Sequence, residues 1–200
     1  MKYPENIQAV ASLMPDYMGF IFYEKSDRYV QDLTFESLSL PEEIKKTGVF
    51  VNVSSEKIAQ TATTCHLDAI QLHGKETPED CLFLREKGFE IIKSFSIKEE
   101  KDLSLTAEYL PNCDFLLFDT PTAQYGGSGK KFDWSILQHY HGEIPFFLSG
   151  GIAPDDTDEV LKFNHPSFYG IDINSRFETK PGMKDFQQVK KFIINIREKA

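Results

Sequence analysis

An α/β architecture built on a parallel sheet is the fold class this sequence predicts, and three observations carry it. Seven short apolar runs recur along the 200 residues. The runs are continuous rather than alternating, as strands covered on both faces are. Stretches with helical spacing separate most of them, and such alternation produces parallel strands joined by right-handed crossovers. A chain of this length with 40% hydrophobic residues suits one domain spanning 1–200 with a substantial core. No linker or low-complexity segment divides it.

The runs are Tyr17–Phe22, Gly48–Val53, Ala69–Leu72, Glu90–Phe95, Phe115–Phe118, Pro145–Leu148 and Phe168–Ile173, all rich in Val, Ile, Phe and Leu. After the third, Thr77-Pro78-Glu79-Asp80 starts a helix with an N-cap, a proline at the first helical position and acids in the first turn. The fifth run ends in Asp119 and leads through Gly126-Gly127-Ser128-Gly129 to Asp133, a helix-capping residue. Pro154 opens a helix after Gly150-Gly151. The last helix begins near Asp185 and aligns Phe186, Val189, Phe192, Ile193 and Ile196 on one face.

The chemically distinctive residues fall at the C-terminal ends of the predicted strands. They are Arg28 beyond Phe22, His73 after Leu72, Asp119, Gly150-Gly151, and Asp172 with Asn174-Ser175. A doubly wound sheet collects ligands at one switch point. Functional residues spread over five strand ends point instead to a (β/α)₈ barrel, whose active site lies on that face with phosphate near the last two strands. Asp119 has two readings: a carboxyl at the edge of low dielectric whose pKa can rise enough to donate a proton, or a strand-ending residue that caps a turn.

Composition narrows the function. A net charge of −9 argues against a nucleic-acid surface, though a helix N-terminus can still hold an anion. The longest apolar stretch, Tyr17 to Tyr23, is too short to span a bilayer, and no signal peptide precedes it. Cys65, Cys81 and Cys113 show neither CxxC pairing nor zinc spacing, which fits a reducing cytoplasm. Gly129-Lys130 fails as a P-loop because Gln124 replaces the first glycine and Lys131 the Ser/Thr. The five histidines form no metal motif, so neither metal nor other cofactor is expected.

With these pieces in place the chain resembles the phosphoribosylanthranilate isomerases over essentially its whole length. Pro4-Glu5-Asn6, Met18 to Phe22 with Lys25 to Tyr29, Gly48 to Asn52, and Gln71-Leu72-His73-Gly74 follow in family order. So do Leu117 to Asp119 with the glycine loop, Ser149 to Ile152, and Gly170 to Ser175 with Glu178 and Pro181-Gly182. The resemblance implies a small phosphosugar substrate, in which an aminoaldose rearranges to a 1-amino-1-deoxyribulose 5-phosphate. It makes Asp119 the general acid, Arg28 the partner of the anthranilate carboxylate and His73 a residue lining the pocket. Backbone N–H groups at Gly150, Gly151, Asn174 and Ser175 would hold the phosphate, and Asp172 would orient neighbouring donors. A surface charge for Arg28, a loop-fixing histidine and a loop-capping Asp172 are the plain alternatives.

The chain also departs from the family. Lys75 stands where an acid is common, and Arg176 where glycine is usual in the last phosphate loop. More seriously, the family's first strand ends in Cys-Gly-Met and that cysteine is the general base. Met1-Lys2-Tyr3-Pro4 aligns from the methionine onward, so the chain reads as a shortened form begun at an internal methionine, without the first strand. The expectation is an inactive or nearly inactive protein, marginally stable or covered at its open edge by another chain, as monomer or homodimer. Two other readings stand beside it. One is another phosphosugar barrel, such as indole-glycerol-phosphate synthase with Lys93 as its lysine; the other is a catalytically silent binder of phosphate ligands.

Overall fold

The computed structural model describes residues 1–31, 33–35, 38, 40–120 and 131–199. The glycine loop at 126–129 lies outside the described residues. Helix α1 (Pro4–Ala11) leads to strands β1 (Tyr17–Ile21) and β2 (Lys45–Phe50), then α2 (Ser55–Thr64), β3 (Ala69–Leu72), α3 (Pro78–Glu86) and β4 (Glu90–Ser96). Next come β5 (Phe115–Asp119), β6 (Phe146–Leu148), α4 (Thr157–Lys162) and β7 (Phe168–Ile171). The hairpin β8 (Glu178–Lys180) and β9 (Met183–Lys184) follows, then α5 (Phe186–Lys199). Among the described residues no helix is long and apolar enough to cross a membrane.

Strands β1 to β7 form one parallel sheet in sequence order, with β1 and β7 outermost. The sheet curls strongly: the Tyr17 ring on β1 lies 5.3 Å from Phe147 on β6, five places away in the strand order. The barrel without its first strand, expected from the sequence, is thus seen as a curled seven-stranded sheet. The backbone nitrogen of Met1 donates to Gly19 O at 2.5 Å, so the segment entering α1 runs beside the edge of β1.

Local chemistry explains the elements. Thr77 accepts from Asp80 N and Asp80 returns the bond to Thr77 N, closing the capping box of α3. Asp133 accepts from Ser135 N as the cap of Trp134–His139, but that element is a 3₁₀ helix. Its buried residues Trp134 and Leu137, with Tyr140 beyond, repeat every third position, the period of a 3₁₀ turn. Pro154 likewise opens a single 3₁₀ turn, Pro154–Asp156, before α4.

The strand period of two divides the core. Outward residues such as Phe20, Ile70, Leu72, Leu116, Phe118, Phe146 and Leu148 pack against Ile7, Ile58, Leu84, Val160 and Phe192 on the helices. Each such burial stabilises by roughly 1.5–3 kcal/mol. Inward residues Ala69, Ile92, Leu117 and Phe147 form a second cluster with Tyr17 and Phe115. Along this inner face composition turns polar toward the C-terminal ends: Ala69 then Gln71, Ile92 then Ser94, Leu117 then Asp119, and Phe147 then Ser149.

Candidate active site

Asp119 ends β5 on the inner face. Its Oδ1 accepts from the N–H of Thr120 at 2.7 Å, and its Oδ2 lies 3.4 Å from Nε2 of His73. Gly150 stands directly against this carboxyl. With φ +87° its backbone is in the left-handed region, and a β-carbon there would approach Asp119 Oδ1 to 2.7 Å. Gly151 continues the turn at φ +73°. Glycine is required here because the turn lies closer to Thr120 and to the Asp119 carboxyl than any side chain permits.

His73 is held by a clamp beneath its loop. Glu76, 4% exposed, accepts from Asn52 N at 2.7 Å and from Gly74 N at 2.9 Å, while Asn52 Oδ1 accepts from Lys75 N at 2.8 Å. Lys93 Nζ completes it, donating to Leu72 O, Gly74 O and Glu76 Oε2 at 3.1, 2.8 and 3.2 Å. Lys93 lies between the inner-face residues Ile92 and Ser94, so the pleat points it outward. It therefore does not serve as a strand-end catalytic lysine, and the synthase reading loses its one candidate.

Asp172 reaches the inner face through an irregularity. Phe146 pairs with Phe168, but Phe147 pairs with Gly170, so Tyr169 is an extra residue in β7. This bulge reverses the parity beyond it, and Ser149 Oγ donates to Asp172 Oδ2 at 2.9 Å. Burial pushes the Asp172 carboxyl above its usual range; the Ser149 hydroxyl opposes this, and the neighbouring Asp119 charge adds to it.

Arg28 stands in a bidentate pair with Glu178, 150 residues later. Its Nε donates to Oε2 at 2.9 Å and its Nη2 to the same oxygen at 2.6 Å. Lys184 Nζ donates to Glu178 Oε1 at 3.0 Å and to Asn174 Oδ1 at 2.6 Å. Burial alone would raise the Glu178 carboxyl, but Arg28 and Lys184 outweigh it and hold it below its ordinary value of 4.5. Burial likewise lowers the Lys184 ammonium. A carboxyl lowered by folding stabilises above its unfolded pKa, and that contribution disappears as pH falls through the folded value. Glu178→Gln is therefore expected to flatten the fall of Tm with pH below about 4.5, compared with the parent chain. Parallel acid limbs in thermal melts would overturn that expectation.

Ser175 begins the 3₁₀ turn Ser175–Phe177. With Arg176, Pro154, Asp155 and Lys191 it lines an open cavity of about 570 Å³, so Arg176 stays beside the last loop as added positive charge. The structure thus gathers Asp119, His73, Gly150 and Asp172 around one carboxyl pair, with Arg28, Asn174 and Ser175 on the adjoining loops. Gln71, Ser94 and Lys184 join this site without a role assigned to them from the sequence. A signal for Lys184 was present: Lys180-Pro181-Gly182-Met183 has proline then glycine at the centre of a turn, and Gly182 has φ +79°. The hairpin it closes pairs Glu178 with Lys184.

Comparison with known proteins extends this geometry. A family model described as N-(5'phosphoribosyl)anthranilate (PRA) isomerase matches residues 1–195. The chain is 48% identical over 203 residues to the N-(5'-phosphoribosyl)anthranilate isomerase of Parabacteroides distasonis, covering 100% of this chain and 92% of the relative. It is similar, at TM-score 0.81 and 30% identity, to a phosphoribosyl anthranilate isomerase in complex with reduced 1-(o-carboxyphenylamino)-1-deoxyribulose 5-phosphate, covering 99% and 95% of the two chains. The same values hold for monomers generated from the dimeric enzyme of Thermotoga maritima.

Proposed function

The chain belongs to the N-(5'-phosphoribosyl)anthranilate isomerase family, and from that premise we propose how its residues divide the work. Its activity is that family's: an isomerase of tryptophan biosynthesis that converts the aminoaldose N-(5-phosphoribosyl)anthranilate to 1-(2-carboxyphenylamino)-1-deoxyribulose 5-phosphate.

In the proposed reaction Asp119 gives its proton to the ribose ring oxygen. The C1′–O bond breaks as the anilino nitrogen lone pair forms a C1′=N iminium. A general base then takes the C2′ proton, those electrons neutralise the iminium, and the resulting enolamine tautomerises to the ketone. Asp119 carries this reading because it closes an inner-face strand end beside two left-handed glycines and a histidine. Arg28 binds the anthranilate carboxylate through the guanidinium edge that Glu178 leaves outside its bidentate bond. Loops Gly150-Gly151 and Asn174-Ser175 hold the phosphate. A second copy of this chain is a partner the outer strands admit, since among the described residues no further strand of the sheet lies beyond β1 or β7 and strand edges offer backbone donors and acceptors.

The three cysteines this chain carries do not offer a general base. Cys65 caps the end of α2, Cys81 is buried within α3, and Cys113 precedes β5, so none sits at the C-terminal end of a strand. The hydrogen bond with the neighbouring Cys81 thiol, and then burial, raise the Cys113 thiol further from its reactive thiolate. We therefore expect turnover lowered by about 10²–10⁴ relative to a version extended upstream by a strand ending Cys-Gly. Loss of substrate fluorescence in both forms is the measurement. Equal rates would mean another group serves as base. Silence in both, with substrate still bound, would favour the reading as a silent phosphate-ligand binder.

A further inference from the structure

On the inner face of β3, Gln71 sits one pleat step below His73 and is 8% exposed. Its Nε2 lies 2.9 Å from His73 Nδ1 and 3.1 Å from Ser94 Oγ on β4. A side-chain amide nitrogen has two hydrogens and no free lone pair, so it donates to both neighbours. His73 Nδ1 must then be an acceptor, and a neutral imidazole that accepts at Nδ1 carries its hydrogen on Nε2. That Nε2 is the atom 3.4 Å from Asp119 Oδ2.

We propose that Gln71, braced by Ser94, is a positioning residue that locks His73 in the Nε2–H tautomer and aims its N–H at Asp119. The proposal rests on Asp119 being the acid. Thr120 N–H already serves Oδ1, and the His73 N–H so placed faces Oδ2 across 3.4 Å, where a small approach makes it the second donor. Donors of this kind favour the ionised form and so support the carboxylate as its proton leaves for the ring oxygen. The opposite tautomer would present a lone pair to Oδ2 and draw the acid's proton to the histidine instead of the substrate. A Gln71 that only filled the polar layer of the sheet would leave the ring tautomer free.

Two-bond ¹H–¹⁵N correlation NMR of the ¹⁵N-labelled chain, at a pH where the ring is neutral, reads the tautomer directly. His73→Gln assigns the signal. The parent chain is expected to show the Nε2–H pattern. Gln71→Glu, whose carboxylate can only accept, is expected to turn the ring to Nδ1–H. An Nδ1–H or averaged pattern in the parent chain would overturn the proposal, as would an unchanged pattern in Gln71→Glu. The parent spectrum alone suffices if the variant fails to fold. In the extended, cysteine-bearing version the same substitution is expected to cost about 10² in kcat with little change in KM, the order seen when one donor to a developing charge is lost. The NMR result does not depend on turnover, so it stands apart from any failure of Asp119 as the acid.

Discussion

Asp119→Asn, made in the version extended by the cysteine strand, is expected to lower kcat by about 10²–10⁴ while the chain still folds. That loss corresponds to about 2.7–5.4 kcal/mol of barrier. The amide keeps the shape of the carboxyl and can still accept from Thr120 N–H, but it has no acidic proton to give the ring oxygen. KM should move little, because the contacts proposed for phosphate and anthranilate lie elsewhere, on the 150–151 and 174–175 loops and at Arg28. Steady-state fluorescence of the substrate gives both constants. A kcat within tenfold of the parent would remove Asp119 from the role of acid and leave Asp172, its raised neighbour, to be tested next.

The second large effect is on stability. Lys93→Met is expected to cost about 3–5 kcal/mol, because it strands the Glu76 carboxylate in a site where the pair is only 2–3% exposed at its side chains. Asn52 and Gly74 N–H groups would still hold that carboxylate, but its counter-charge would be gone. Joint replacement, Lys93→Met with Glu76→Leu, is expected to recover part of the loss, since apolar replacement of a whole buried pair is often tolerated. Urea titration of the three chains measures this. A single-variant loss under about 1 kcal/mol would show that the pair is not the brace of the His73 loop.

Much of the fold could be read in the chain itself. The short apolar runs at Ala69–Leu72 and Phe115–Phe118 read as strands covered on both sides, and Thr77-Pro78 marked the start of α3. The order of these signals required parallel strands, and with them the side of the sheet on which Arg28, His73, Asp119 and Asp172 would stand. The 3₁₀ character of Trp134–His139 was less legible. A helix cap such as Asp133 does not state how tightly the turn that follows is wound; burial of Trp134, Leu137 and Tyr140 at a spacing of three does.

What sequence alone determined, then, is local: strands, caps, turns and the end of each strand that carries polar residues, since these follow from backbone preference and hydrophobic period. The tertiary structure decided direction and partnership. Lys93 was the lysine the alternative synthase reading needed until the pleat turned it outward onto Glu76, and Asp172 faces Ser149 because the extra Tyr169 shifts the register between β6 and β7. Arg28 meets Glu178, and Tyr17 meets Phe147, only because the sheet curls far enough to bring its two ends together. Register and curvature are properties of neighbouring strands taken together, and no single segment contains them.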